Sequence, residues 1–157
     1  MLDASSLVTL AQAHALSLLT LLPDQALTVT EVYREAVEAG RARGYPDALL
    51  IADAFSHRWV TIADPAGQEP LPGISRTDSL VIHLAEELGA VDVLINDRTL
   101  LGKAKQRRLP ARLTADFVEA LYQRGRITRK RRHGLLSAFV AQGRYSEEFM
   151  KAFLLLR

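Results

Sequence analysis

Residues 90–98 read AVDVLINDR, and this stretch decides the fold that the sequence predicts. The apolar run over 91–95 is too short for a helix and follows a glycine, as is typical of a buried strand in a parallel sheet. Asn96 and Asp97 come directly after it, at the carboxyl end of that strand. Because ligands bind at the carboxyl edge of open α/β sheets, the sequence places an acidic side chain where binding and chemistry take place.

Length and composition predict one globular domain over residues 1–157. The chain is 48% hydrophobic and 24% charged, which is ordinary for a folded protein. It has no cysteine, so disulfides, thiolate metal sites and cysteine nucleophiles are excluded. No apolar stretch reaches the roughly 18 residues of a membrane span, and the N-terminal stretch lacks the basic start of a signal peptide. We therefore expect a cytoplasmic protein without membrane association.

Strands and helices alternate along the chain as far as residue 113. The expected strands are 26–29, 59–63, 91–95 and 109–113. The expected helices are 5–13, 15–22, 30–39, 46–58, 78–88, 98–108, 115–124, 130–141 and 146–156. Their expected N-caps include Ser5 or Ser6, Thr30 and Thr77. This order predicts a three-layer α/β/α sandwich with a short parallel sheet of about four or five strands and a helical C-terminal tail. Only two residues precede Asp3, so either the first strand is very short or the chain starts late.

Four acidic residues occupy comparable places in this predicted sheet. Asp3 follows the first strand, Glu35 lies in the helix after the second, Asp78 lies in the first turn of a helix, and Asp97 follows the strand over 91–95. Right-handed crossovers bring such positions to one edge. At an effective dielectric of about 20, two carboxylates roughly 4 Å apart repel by around 4 kcal/mol, so we expect a cation among them.

The cation is expected to be Mg²⁺ or Mn²⁺, because the candidate ligands are hard oxygens without cysteine or paired histidine. Such a metal activates water and holds a phosphate, which predicts phosphodiester hydrolysis. Thr114 and Asp116 follow the last predicted strand, and they are either a further pair at this edge or a simple helix cap.

Taken singly, each acid also has a plain structural interpretation. Asp3 is equally well a helix cap, Glu35 a solvated helix charge for which Glu31 is an equivalent candidate, and Asp78 a first-turn carboxylate that interacts with the helix dipole. Asp97, at a strand end, is the acid that most favours a functional role. The four acids in this order are stronger evidence than any one of them.

The charges are divided unevenly along the chain. Residues 1–97 carry a net charge of −9, and residues 98–157 carry +11. Within the second half, the segment 124–133 reads RGRITRKRRH. We expect this basic segment to bind the phosphates of a nucleic acid, or else to be a solvated helix end. Its candidate nucleic-acid-binding residues are Arg124, Arg126, Arg129, Lys130, Arg131 and Arg132.

Four short segments in order resemble a known family. LDASSLVTLA at 2–11, TEVYREAV at 30–37, RTDSLVIHLAEELG at 76–89 and VLINDRTLLGKA at 93–104 look like a PIN domain, closest to a branch with a D-x-S-x-L-I start. The closing segment LLSAFVAQGRYSEEFMKAFLLL at 135–156 also resembles the tail of that branch. The resemblance covers nearly the whole chain.

The resemblance implies a metal-dependent ribonuclease, often the toxin of a toxin–antitoxin pair. Position by position, it implies these residues for the metal site: Asp3, Glu35, Asp78 and Asp97, with Ser5 and Asn96 as supporting polar groups. The chain departs from the branch at Asn96, where another acid is usual, and at Asp78, where Thr77-Asp78 replaces Gly-Glu. The alternatives are a catalytically degenerate PIN-fold module that binds nucleic acid, and a phosphoacceptor regulator, whose acidic pair and lysine are not evident here.

A toxin implies a protein partner. The C-terminal segment 149–156, FMKAFLLL, has more leucine and phenylalanine than a solvated helix needs. It either packs on the core of its own chain or forms an interface with an antitoxin or a second copy. We expect RNA as the substrate, a cognate antitoxin as a partner, and a homodimer.

Overall fold

A computed structural model describes residues 1–89 and 92–155 of the chain. The predicted start of a strand at Val91 and the predicted end of a helix at Leu156 lie outside these residues. The strands are β1 (Ala26–Thr28), β2 (Val60–Ile62), β3 (Val93–Leu94) and β4 (Ala111–Arg112). The helices are α1 (Ala4–Gln12), a 3₁₀ helix (Leu16–Leu21), α2 (Thr30–Tyr33), a π-helical segment (Arg34–Ala39), α3 (Gly40–Ala42), α4 (Asp47–Ser56), α5 (Arg76–Glu87), α6 (Arg98–Gln106), α7 (Thr114–Gln123), α8 (Arg129–Ala141) and α9 (Glu147–Leu155).

The strands form two parallel pairs. In one pair β1 lies beside β2, with Ala26 opposite Val60, and in the other β3 lies beside β4, with Val93 opposite Ala111. The prediction of an α/β fold is therefore confirmed. The prediction of one sheet with four or five regular strands is wrong, since the described residues form two sheets of two strands each.

The N-terminal residues lie between the two pairs and connect them. The Leu2 N–H donates to the Leu27 carbonyl at 2.9 Å, and the Leu94 N–H donates to the Met1 carbonyl at 2.9 Å. Leu2 and Leu94 form a single parallel bridge. Because Met1 and Leu2 join the two pairs through these hydrogen bonds and one isolated bridge, the described strands remain two separate pairs at this point. The resulting order places Asp3 near the middle of the carboxyl edge.

Helices cover this layer and supply most of the core. Helix α1 packs against α4 and α7. Its Leu7 and Leu10 are fully buried, as are Ile51 of α4 and Leu121 of α7. Apolar burial of this kind stabilises a fold by about 25 cal/mol per Å². No helix within the described part of the chain has both the length and the apolar character that crossing a membrane requires.

Two helices begin earlier than the sequence predicts, so their caps differ. Asp3 is the N-cap of α1, and the predicted caps Ser5 and Ser6 lie inside its first turn. Ser75 is the N-cap of α5, and the predicted cap Thr77 lies inside the helix. In both cases the side chain that accepts the backbone hydrogen bond comes from the first polar residue of the cluster.

The helix after β1 begins and ends differently from the prediction. Val29 is its N-cap, and the predicted cap Thr30 instead donates its N–H and hydroxyl to Asp64 at 2.8 and 2.6 Å. Gly40 does not end the helix. A Cβ at that position would lie 2.8 Å from the Ala48 Cβ, so this glycine permits close packing of two helices. The chain turns at Gly44, whose φ of +72° favours glycine.

Candidate active site

Asp3 is a buried carboxylate at the carboxyl edge of the sheet, with only 3% of the residue exposed. Its Oδ1 accepts a hydrogen bond from the Ser6 N–H at 2.8 Å, and its Oδ2 accepts one from the Ser5 hydroxyl at 2.5 Å. Burial raises the pKa of Asp3, the two serine contacts oppose that rise, and the negative charge of Asp78 adds to it. The carboxylate is therefore held in one orientation in a site that disfavours its charge.

Glu35 lies on the π-helical segment and is more exposed than Asp3. Partial burial raises its pKa, the charge of Asp78 raises it further, and the nearby Arg43 lowers it. The same Asp78 therefore acts on both Asp3 and Glu35. A shared neighbour of this kind means that the three acids face one region of space.

Asp78 lies in the first turn of α5, where its N–H donates to the Ser75 hydroxyl at 3.0 Å. The side chain is half-buried. The cap fixes the start of α5, and Asp78 in its first turn is close enough to Asp3 to affect the pKa of that carboxyl. We call Asp3, Glu35 and Asp78 the acidic trio.

Asp97 differs from Asp3 in its exposure. It is exposed, and its Oδ1 accepts a hydrogen bond from the Leu100 N–H at 2.7 Å as the N-cap of α6. The acidic neighbour that raises the pKa values of Asp3 and Glu35 is Asp78. The structure thus brings three of the four predicted acids together and gives the fourth a capping role.

The acidic trio fits a divalent cation in its chemistry. Its donors are carboxylate oxygens, which Mg²⁺ and Mn²⁺ prefer. Burial is the main cause of the raised pKa values of Asp3 and Glu35, and the repulsion from Asp78 that adds to it is a repulsion that a cation would remove. Within residues 1–89 and 92–155, no group of three or more such side chains is already arranged to hold a metal ion.

Asn96 is the centre of a polar network that the sequence analysis did not predict. Its side-chain oxygen accepts hydrogen bonds from the Thr114 N–H at 3.1 Å, the Thr114 hydroxyl at 2.5 Å and the Tyr145 hydroxyl at 2.5 Å. Its amide group donates to the Thr9 hydroxyl at 2.9 Å, and its backbone N–H donates to the Ser5 hydroxyl at 3.3 Å. Asn96 therefore connects the sheet edge to α1, α7 and the C-terminal region.

This network links Asn96 to the acidic trio through Ser5, whose hydroxyl contacts both Asn96 and Asp3. Thr114 had a signal in the sequence, since it directly follows the last strand. No feature of the sequence indicated Tyr145, because it is far from Asn96 in the sequence and contacts it only in the folded chain. Burial raises the pKa of Tyr145, so its hydroxyl stays protonated as a donor.

A cavity of about 380 Å³ opens beside Glu35. Two arginines line it, Arg43 before α4 and Arg144 before α9, together with Ser5 of α1. The Arg144 guanidinium donates to the Gln12 side-chain oxygen at 3.3 Å. Arg43 and Arg144 lie in separate loops far apart in the sequence, so no sequence motif contains both of them.

The basic segment 124–133 divides into one paired cation and five exposed ones. Arg132 forms an ion pair with the buried Glu119 at 2.6 Å, and its guanidinium lies 5.0 Å from the centre of the Tyr122 ring. Its charge is therefore used within the fold, and it does not belong to a free phosphate-binding surface. The exposed cations are Arg124, Arg126, Arg129, Lys130 and Arg131. Of these, Arg131 donates to the His14 carbonyl at 3.1 Å.

Comparison with known proteins gives one match. The model of a protein family described as DUF3368: PIN domain matches residues 1–156 of the chain. No curated protein and no solved structure matches the chain. The matched range contains the acidic trio, Asp97 and the basic segment.

Proposed function

The chain belongs to the PIN-domain family, whose members are generally nucleases, and from this premise we propose that it is a metal-dependent endoribonuclease of the toxin-like kind. The single observation that supports the proposal is the electrostatic coupling of Asp78 to both Asp3 and Glu35. Two carboxylates, Asp3 and Glu35, whose charges are both disfavoured by the same Asp78 at the carboxyl edge of a parallel sheet suit a divalent metal better than a purely structural role.

The acidic trio would hold Mg²⁺ or Mn²⁺, and Asp97 would contribute from its edge. When bound, such an ion supplies an activated water and stabilises negative charge on a phosphate. Asp3 is fixed in advance by its two serine contacts, so little side-chain freedom is lost there on binding. Glu35 is the more exposed carboxylate and lies where a substrate can reach it.

The exposed cations of the basic segment support RNA as the substrate class, because phosphate contacts supply most of the affinity for a nucleic acid. We expect Arg131→Ala to weaken binding of an RNA oligonucleotide at low salt while the folded state is kept. Arg132→Ala is the contrasting variant. It leaves the buried Glu119 without its ion pair, so it should destabilise the fold by about 3 kcal/mol. Equal RNA affinity of wild type and Arg131→Ala would contradict this part of the proposal.

The test of the proposed activity is cleavage of a mixed-sequence RNA in the presence of Mg²⁺ or Mn²⁺. We expect cleavage by the wild type, its loss with a chelator, and its loss in Asp78→Asn. Asp24→Asn is the matched control, because Asp24 is an exposed acid that lines a different cavity, beside the N-terminal end of β1. A folded wild type that binds RNA without cutting it would favour the alternative, a catalytically degenerate binding module.

An antitoxin and a homodimer also belong to the proposal. In α9, Met150 and Phe153 are buried against the core, whereas Phe149, Leu154 and Leu155 are exposed, Leu155 by 86%. An exposed apolar face on a terminal helix suits an interface. Light scattering should give the mass of a dimer for the wild type and of a monomer for Leu155→Glu. A monomeric wild type would contradict the homodimer.

A further inference from the structure

The cavity beside Glu35 combines two arginines with an exposed aromatic ring. We propose that it binds one nucleotide of single-stranded RNA, with the phosphate on Arg43 and Arg144 and the base stacked on Tyr45. This inference rests on the proposed ribonuclease function and names the subsite that would hold the substrate beside the acidic trio.

The two arginines are available to an anion. Both Arg43 and Arg144 are exposed, and neither forms a salt bridge with a carboxylate in the part of the chain that the structure describes. Among the described residues, the side chain of Arg144 donates a hydrogen bond to the Gln12 side chain at 3.3 Å, which is long for a charged donor. Two guanidiniums that line one cavity without ion pairs favour a phosphate, which each can bind through paired N–H groups.

Two carboxylates also line the cavity, and they restrict where the phosphate can lie. Glu35 belongs to the acidic trio, and Asp47 is half-buried in the first turn of α4. Arg43 is close enough to Glu35 to lower its pKa. A phosphate in this cavity would therefore contact Arg144 and Arg43 and avoid the carboxylates of Glu35 and Asp47.

Tyr45 provides the stacking surface. It is 51% exposed, a large fraction for an aromatic ring, and it lines the same cavity. Its backbone is held in place, because its N–H donates to the Gly40 carbonyl at 3.0 Å. An aromatic ring fixed at its backbone and open at its face is the platform on which unpaired bases stack.

The size of the cavity agrees with one nucleotide. At about 380 Å³ it lies within the range of roughly 300 to 1,000 Å³ that is common for small-molecule sites. Stacking on Tyr45 needs a base whose face is free. The subsite therefore selects an unpaired strand over a duplex.

The test measures binding of a fluorescently labelled single-stranded RNA in the presence of EDTA, so that affinity is recorded without cleavage. Arg43→Ala and Arg144→Ala should each weaken binding by roughly tenfold, as expected for a lost charge-assisted hydrogen bond. Each should also reduce the slope of log affinity against log salt by about 0.7. Arg41→Ala removes the same charge from an exposed position two residues away that does not line the cavity, and it should weaken binding much less.

The ring is tested by a matched pair of variants. Tyr45→Ala should weaken binding by roughly fivefold or more, because base stacking on an aromatic side chain is lost. Tyr45→Phe keeps the ring and should bind like the wild type. The inference is overturned if Arg43→Ala and Arg144→Ala bind no more weakly than Arg41→Ala, or if Tyr45→Ala and Tyr45→Phe bind alike.

These outcomes are separate from those of the cleavage assay. A wild type that cleaves RNA while the cavity variants bind normally would leave the ribonuclease in place and remove the subsite. A wild type that binds RNA through Arg43, Arg144 and Tyr45 without cleaving it would keep the subsite and remove the nuclease. All these side chains are exposed, so thermal unfolding of each variant should match that of the wild type.

Discussion

Asp3 and Asp97 occupy the same place in two junctions between a strand segment and a helix. Each carboxylate caps the helix that follows, Asp3 through the Ser6 N–H at 2.8 Å and Asp97 through the Leu100 N–H at 2.7 Å. Asp3 is buried and coupled to Asp78, whereas Asp97 is exposed. The two carboxylates therefore have the same local geometry, but only at the Asp3 junction is the charge of the carboxylate disfavoured by burial and by a neighbouring acid.

Burial and neighbouring charge, more than position at a strand end, decide which carboxylate is suited to a metal. The sequence places both acids after apolar segments at the carboxyl edge. Only the fold shows that Asp3 lies between the two strand pairs, in the middle of that edge.

The largest expected difference is in catalysis. Asp3→Asn keeps the acceptor oxygen of the cap and removes the charge, so we expect it to slow metal-dependent RNA cleavage by roughly a hundredfold or more. Asp97→Asn should slow it by about tenfold, as for a group that tunes a metal site from its edge. Single-turnover rates at saturating Mg²⁺ measure both. A larger loss for Asp97→Asn would reverse the contrast.

The next effect concerns Asn96, which lies between the two junctions. Asn96→Ala removes the acceptor of the Thr114 N–H and the shared acceptor of the Thr114 and Tyr145 hydroxyls, which keep their contact with each other at 3.1 Å. We expect the free energy of unfolding to fall by about 2 kcal/mol. Denaturant unfolding measures it. The account of the network would be contradicted by a loss no larger than that of the neighbouring Asp97→Ala.

The buried carboxylate of Asp3 makes the stability of the fold depend on pH. The raised pKa of Asp3 means that the folded chain holds this proton more tightly than the unfolded chain does, so its ionisation destabilises the fold as pH rises above about 4. In a chelator, Asp3→Asn should therefore become more stable relative to the wild type between pH 4 and pH 7. Thermal unfolding of both proteins at the two pH values tests this, and a constant difference would contradict it.

The smallest effect is that of the exposed cap. Asp97→Ala removes the acceptor of the Leu100 N–H and should cost about 1 kcal/mol of stability, whereas Asp97→Asn should cost only a few tenths. Both values come from denaturant unfolding. Equal losses in the two variants would mean that the charge of Asp97, and not its capping oxygen, stabilises the junction.

Much of this fold was accessible from the sequence, because apolar runs and glycines mark short strands and helix ends. The strand around Leu94 and the helical C-terminal region were both expected, and the structure confirms them. The division of the sheet was not predicted. It depends on two hydrogen bonds to separate strands, one donated by the Leu2 N–H to Leu27 and one accepted by the Met1 carbonyl from Leu94.

The candidate site divides in the same way. Residue type and order predicted Asp3 and Asp78, since carboxylates at strand ends and first turns have a local signal. Glu31 and Glu35 were equivalent candidates on one helix, and the structure shows that Glu35 is the one that Asp78 affects. No local pattern in the sequence indicated Arg144 or Tyr145. These residues lie far along the chain and reach the site only through the packing of the last helices. Arg132 was misleading for a related reason: its partner, the buried Glu119, lies on another helix.

The measurement that tests the account most directly is binding of Mn²⁺ to the purified chain, followed by the loss of the free-ion EPR signal. The account predicts saturable binding to the wild type and to Asp24→Asn, and little binding to Asp3→Asn, because Asp3 is the buried member of the acidic trio. Equal Mn²⁺ binding by Asp3→Asn and the wild type would contradict a metal site centred on Asp3. Absence of binding to the folded wild type would contradict the metal site itself.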